Sequence, residues 1–312
     1  MRLVTRADFD GLVCGFLLKE KELVNSFKFI HPKDLQDGKF RATQNDILAN
    51  VPFVPGCSFW IDHHFSEKER FTLAQKQGET KILLKNAPSA AQIIYEYYGG
   101  EKALPQYKEV VEAVNKIDSA DLSISEIICP ADWILLGFIY DPRTGLERHN
   151  FKINRHQLTE KLINKYHAAS IKEILNLPDI KERIEVYNEQ NEHFKKMLLD
   201  NTVIKGSLIF TDLRHVPKIY AGNRFLIYSF FPGQNVSCWI VNGKNKDTVT
   251  IACGHSIINK TATINIGKLM LKYGGGGLKQ AGTCQIKKEK AEQVIKEISD
   301  CLQFNLLCQS DS

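Results

Sequence analysis

"RLVTRADFDG", residues 2–11, joins a short apolar stretch to two aspartates spaced two apart, with a glycine directly after them. "RLVT" is strand-like and the run from Leu12 to Leu23 has helical periodicity, so Asp8 and Asp10 fall where a first strand ends and a helix begins. In extended backbone, side chains two apart point to the same side, where two carboxylates repel unless a cation lies between them. A bound metal ion would supply that charge. An aspartate opening a helix also serves as an N-cap, so the pair alone decides nothing.

Outward from this stretch the strand and helix textures keep alternating. "SFKFIH" (26–31) and "CSFWID" (57–62) read as strands, and "PSAAQIIYEYY" (88–98) and "QYKEVVEAVNKI" (106–117) as helices. Such alternation implies an α/β domain with a doubly wound, mainly parallel sheet, Rossmann-like, whose ligands gather beyond the carboxyl ends of the strands. Residues 179–201 form a long polar helix pattern that suits a connector. Beyond it, "GSLIFTDL", "NRFLIYSFF", "VSCWIVN" and "TVTIACG" read as strands, followed by a helix at 266–273, a glycine run, a strand "GTCQIK" and a last helix at 289–302. The expected division is a first domain over 1–178, a connecting helix over 179–201, a smaller glycine-rich α/β domain over 202–305 and a tail over 306–312.

Composition narrows the function classes. The 312 residues carry a net charge of +5, distributed as +7 from Asn201 onward and −2 before it, and a basic C-terminal part favours an anionic partner. Eight cysteines without a C-x-x-C spacing fit reduced structural thiols better than a zinc site or a disulfide framework. No run approaches the ~18 apolar residues of a membrane span, and "MRLVTRADFDG" lacks a signal-peptide stretch, so the expectation is a cytoplasmic protein without a membrane partner. No helix pattern carries the Arg, Asn and Gln array of sequence-specific DNA readout.

Further acids and histidines stand near the other expected strand ends: Asp46 in "QNDILANVP", Asp62, His63 and His64 directly after "CSFW", and Asp118 in "NKIDSADLS". Carboxylate with imidazole suits manganese, iron or zinc rather than calcium, and one carboxylate bridging two ions is the plan of two-metal phosphoryl hydrolases. Gly274, Gly275, Gly276 and Gly277 follow a helix end. Backbone without side chains lets N–H groups approach a phosphate or a base closely. His31 and His255 have no cluster around them and read as ordinary polar residues.

"DFDG" after the first strand, Asp46, "DHH", Asp118 and the late "YGGGGLKQAGT" together resemble the ordered motifs of the DHH phosphoesterase superfamily with its DHH-associated C-terminal domain. The chain is similar above all to exopolyphosphatase-related and oligoribonuclease-like members. The resemblance implies a metal-dependent phosphoesterase using one or two ions, Mn2+ first among divalent metals, with a metal-bound hydroxide attacking phosphorus in line. It assigns Asp10, bridging Asp46, His63 and Asp118 to one ion, and Asp8 and Asp46 to the other. The third ligand of that second site, a histidine two residues before Asp8, is replaced here by Arg6. A guanidinium cannot ligate a metal. Either the second ion binds weakly while Arg6 clamps a phosphate, or the Arg6 charge replaces that ion.

By the same resemblance His64 contacts the scissile phosphate, and Asp62 orients a histidine N–H. The glycine motif ends without the family's histidine, with Leu278, or Gly277 in a shifted register, in its place. Lys260, Lys279, Arg214 and Arg224 are the basic residues placed to hold an anionic substrate. Short oligonucleotides or dinucleotides are the expected substrates. Polyphosphate and a non-catalytic nucleotide- or phosphate-binding role are the alternatives, and a homodimer is compatible with all of these.

Overall fold

A computed structural model describes residues 1–64, 72, 75, 78–243 and 247–303. The chain divides into two compact units, one of residues 1–122 and 130–186, the other of residues 123–129 and 187–312. Ser123–Cys129, inside the first domain by the expected boundary, thus clusters with the second unit; there the Asn223 amide donates to the Ile127 carbonyl at 3.1 Å.

The first unit is built on β1 (Arg2–Thr5), β2 (Ser26–Phe29), β3 (Asp46–Ala49), β4 (Phe59–Asp62) and β5 (Lys81–Leu84), all parallel, in the order β2-β1-β3-β4-β5. Each strand is four residues long, so little backbone separates its two ends. Leu3 and Val4 are both fully buried although they point to opposite faces, which requires cover on both sides of the sheet. On one side Val4, Leu48 and Trp60 pack with Val51, Phe53 and Cys57, and the Trp60 indole N–H donates to the Val51 carbonyl at 2.9 Å.

Helix α1 (Phe9–Glu20) leaves β1 through Asp8, whose Oδ1 accepts from the Gly11 N–H at 3.0 Å as an N-cap. Gly11 is required by close approach: a Cβ there would stand 2.0 Å from the Arg6 carbonyl oxygen. From Phe9 to Leu18 the helix is buried on every side, and it packs against α2 (Ala90–Tyr97), α3 (Lys108–Asp118) and α4 (Arg155–Tyr166). The chain order reverses between β1 and β3, which puts the crevice beyond their carboxyl ends.

Helix α5 (Pro178–Asp200) carries the chain into the second unit. That unit has a six-stranded mixed sheet in the order β10-β11-β9-β8-β7-β6, formed by β6 (Thr202–Lys205), β7 (Leu208–Asp212), β8 (Val236–Asn242), β9 (Thr248–His255), β10 (Gly276–Gly277) and β11 (Ala281–Lys287). Only β7 and β8 run parallel among the described pairs. Val236, Cys238, Ile251 and Met270 share its core with Ile298 of the last helix, Lys288–Gln303. "NRFLIYSFF" departs from the expected strand and folds as a short helix, Leu226–Phe230, because Asn223 turns the chain by accepting the Phe225 N–H on its side chain at 2.9 Å. Among the described residues no helix is long and apolar enough to cross a membrane.

Candidate active site

Three of the expected ligands converge at the carboxyl edge of the parallel sheet. Asp10 sits in the first turn of α1, His63 directly follows β4, and Asp118 closes α3. His63 Nε2 is 3.3 Å from Asp118 Oδ2 and 3.9 Å from Asp10 Oδ2. His63 Nδ1 is 3.2 Å from the Ala87 carbonyl, which only accepts, so Nδ1 carries the proton and Nε2 presents its lone pair to the two acids. Nε2 is buried and has no hydrogen-bond partner among the described residues.

This donor set fits a divalent ion. The ligand atoms of Asp10, His63 and Asp118 all lie within 4.8 Å of one another. A lone pair facing two carboxylates is repulsive unless a cation stands among them. The electrostatics agree: loss of solvent, then repulsion from Asp8, pushes Asp10 up to about 6, and loss of solvent, then repulsion from Asp10, pushes Asp118 up to about 6. Burial and the neighbouring His64 lower the pKa of His63 and keep its imidazole neutral. Asp10 is held in place by the Ala90 and Ala91 N–H groups at the start of α2, at 3.0 and 2.8 Å.

Asp62, fully buried at the end of β4, accepts from the His63 backbone at 2.8 Å and from His64 Nδ1 at 2.8 Å. Burial works against a charged His64, but the Asp62 hydrogen bond and charge outweigh it and raise its pKa. The His63 and His64 rings meet edge to face with centroids 4.1 Å apart.

Asp8 has different company. Its Oδ2 pairs with Arg6 Nε at 2.9 Å, and its Oδ1 accepts from the Asn50 amide at 3.1 Å as well as from Gly11.

Asp46 is not at the cluster, and its expected role as bridging ligand is corrected. It begins β3 instead of following a strand, and lies in register with Arg2 at the start of β1, at the far end of the sheet. Arg2 grips it through Nε at 2.6 Å and Nη2 at 3.0 Å, and Thr43 donates its N–H and hydroxyl to Oδ2 at 2.7 and 3.0 Å. The residue at the carboxyl end of β3 is Asn50, in a left-handed conformation with φ 57° and with a buried Oδ1 that has no partner among the described residues. The apolar "ILA" has a polar residue on both flanks, and only the strand direction tells which one faces the site.

A second residue was missed in the sequence. Arg143, in the 3-10 turn Pro142–Thr144, is anchored on the buried Asp141 carboxylate by its own N–H at 2.8 Å and by Nε at 2.7 Å. Desolvation alone would lower its pKa; Asp141, and after it the charges of Asp118 and Asp8, raise it, which marks the guanidinium as a neighbour of the cluster.

In the second unit, Gly274 ends the helix Ile266–Leu271 region with φ 70°, and Gly276 and Gly277 form the edge strand β10 against Thr283 and Gly282. A Cβ at Gly275 would stand 2.1 Å from the Thr283 carbonyl oxygen, and one at Gly277 2.2 Å from that of Ala281, whereas Gly276 faces open space. Packing therefore accounts for most of the run. Arg214 is paired with Asp212, at 2.6 Å from Nη2, and with Glu292. Lys260 and Lys279 are exposed, and the Arg224 guanidinium lies 4.1 Å from the Phe225 ring centroid. His255 donates to the Ile264 carbonyl at 2.8 Å, and His31 caps Pro32–Gln36.

Parallel sheet, cluster and flanking cations together define a metal-dependent phosphoesterase. No family model and no curated protein matches the chain. Among solved structures it is similar to PggH of Vibrio cholerae, a pGpG-specific phosphodiesterase, with 42% identity over 98% of this chain and 99% of that one and a TM-score of 0.85. Likeness in fold alone extends to an exopolyphosphatase-related protein of Bacteroides fragilis (10% identity, 97% and 92% of the two chains, TM-score 0.50) and to RecJ of Thermus thermophilus with Mn2+ (11%, 98% and 52%, 0.53). The chain belongs to the DHH superfamily of phosphoesterases. It is a phosphodiester hydrolase that works with a divalent metal.

Proposed function

We propose that this chain is a one-metal phosphodiesterase that cleaves the linear dinucleotide pGpG to guanosine 5′-monophosphate (GMP). The observation that carries the substrate is the 42% identity to a pGpG-specific phosphodiesterase over nearly the full length of both chains. Polyphosphate has only a 10% identical fold relative behind it.

Asp10, His63 and Asp118 would hold the ion, with Mn2+ as the first choice for two carboxylates and an imidazole. When bound, a divalent ion supplies a Lewis acid for a phosphoryl oxygen and lowers the pKa of a water molecule. Support for a single ion comes from Arg6, which neutralises Asp8 at 2.9 Å, and from Asn50, a neutral amide where a bridging carboxylate is needed. The chain's own groups do the rest. His64, kept charged by Asp62, donates to a non-bridging phosphate oxygen, while the Arg6 donors not engaged with Asp8, together with Arg143, counter the charge that grows there. Asp62 fixes the imidazole that does this and touches no substrate itself. Within the second unit, Gly276, Lys260 and Lys279 are proposed as anion-binding residues.

GMP release from pGpG with Mn2+, followed by chromatography, tests the reading. Wild type should convert the dinucleotide completely, and a His63→Ala protein of unchanged melting temperature should release none. Release from polyphosphate but not from pGpG would refute the assignment.

A further inference from the structure

Beside Asp8, toward β2, the first unit contains a cavity of about 630 Å³. Its charged lining is Arg6, Lys28, Lys39 and Arg155 against Asp8 and Asp34. Two of these cations are already answered, Arg6 by Asp8 at 2.9 Å and Lys39 by Asp34 at 2.7 Å. Lys28, exposed on β2, makes no ion pair among the described residues. Arg155 is more telling: its side chain is 19% exposed, its Nε and Nη1 are buried without a hydrogen bond among the described residues, and the Glu147 carboxylate stands 3.6 Å from Nε. Arg155 lines the cavity with its charge met by Glu147 only at 3.6 Å, so an anion seated there would gain from it and from Lys28.

The cavity also has flat apolar walls. Phe29 and His156 stack at 5.4 Å with a 30° tilt, and Phe40 lines the cavity as well. Aromatic faces beside Lys28 and Arg155 suit a base and its phosphate, whereas a polyphosphate chain would leave the rings unused. The volume lies within the roughly 300–1,000 Å³ of small-molecule sites. Asp8 belongs both to this lining and to the catalytic edge of the sheet, so the cavity adjoins the cluster.

We infer that this cavity seats one nucleotide of the substrate, with Arg155 and Lys28 on its 5′-phosphate and its base against Phe29, His156 and Phe40. The inference rests on the dinucleotide reading above and moves part of substrate recognition from the glycine-rich domain, where the sequence places it, into the first unit.

Calorimetric titration of GMP and of guanosine into the chelator-treated protein reads the site without turnover. Wild type should bind GMP about 10- to 100-fold more tightly than guanosine, the worth of one or two charge-assisted hydrogen bonds. Arg155→Gln should remove most of that preference. Lys28→Gln, on an exposed strand position that burdens no packing, should reduce it severalfold and guards against a folding defect in the first variant. Equal binding of GMP and guanosine by wild type, or a preference untouched in both variants, would overturn the inference. Turnover of pGpG measured on the same samples separates the two claims: GMP bound through Arg155 with pGpG left intact overturns the dinucleotide reading instead.

Discussion

At Asp46, Arg2 and Thr43 supply four hydrogen bonds to one buried carboxylate, and nothing is left over for a metal. Asp46→Asn should therefore cost about 2 kcal/mol of stability in urea unfolding at pH 7 while the folded variant keeps its turnover. Burial pushes this carboxyl up, but Arg2 and Thr43 outweigh it and hold it below the usual range. A carboxyl depressed in the folded state contributes its stability above the unfolded value of about 4 and loses it as pH falls through the folded one. The wild-type advantage over the variant should accordingly vanish in strongly acid melts. Loss of turnover in a stable Asp46→Asn protein would contradict the placement. Asp62 is the converse case: it acts through His64, orienting it and favouring its charged form, so Asp62→Asn should lower turnover about 10- to 100-fold without a comparable change in melting temperature. At Asp8, replacing its partners by Arg6→His with Asn50→Asp should create a second Mn2+ site, seen as a rise from one to two ions per chain by mass spectrometry.

Short elements explain what could be read from the sequence and what could not. "DFDG" and "DHH" each follow an apolar stretch whose other flank is uninformative, so the carboxyl end of β1 and of β4 was legible, and with it Asp8, Asp10, His63 and His64. β3 offers a polar residue at both ends of three apolar ones, and the choice between Asp46 and Asn50 needs the parallel register with β1, which only folding supplies. "NRFLIYSFF" has a strand's composition, yet Asn223 makes a side-chain turn onto the Phe225 N–H just ahead of a helix, so local turn chemistry overrode propensity. Arg143 and Arg155 act through the tertiary neighbours Asp8 and Asp118 or a cavity wall, and neither has a local signal. The glycine run separates along the same line. Gly277, with φ 154° and no room for a Cβ, should lose more than about 1 kcal/mol as Gly277→Ala, while Gly276→Ala, facing open space, should lose less, both read from thermal melts. If Gly276 touches substrate, its alanine variant should weaken substrate binding despite its stability.

Across the whole molecule, the full set of groups proposed for chemistry, Asp10, His63, Asp118, His64, Arg6 and Arg143, belongs to the first unit, whose parallel sheet fixes them at one edge. The second unit carries its own core and a basic surplus. Around Asp8 stand a guanidinium and an amide, and the one-metal proposal rests on them. The metal count is decided most directly by titrating Mn2+ into metal-free protein while following GMP release from pGpG and counting bound ions. The account predicts that activity saturates at one ion per chain. Saturation only at two ions per chain would contradict it.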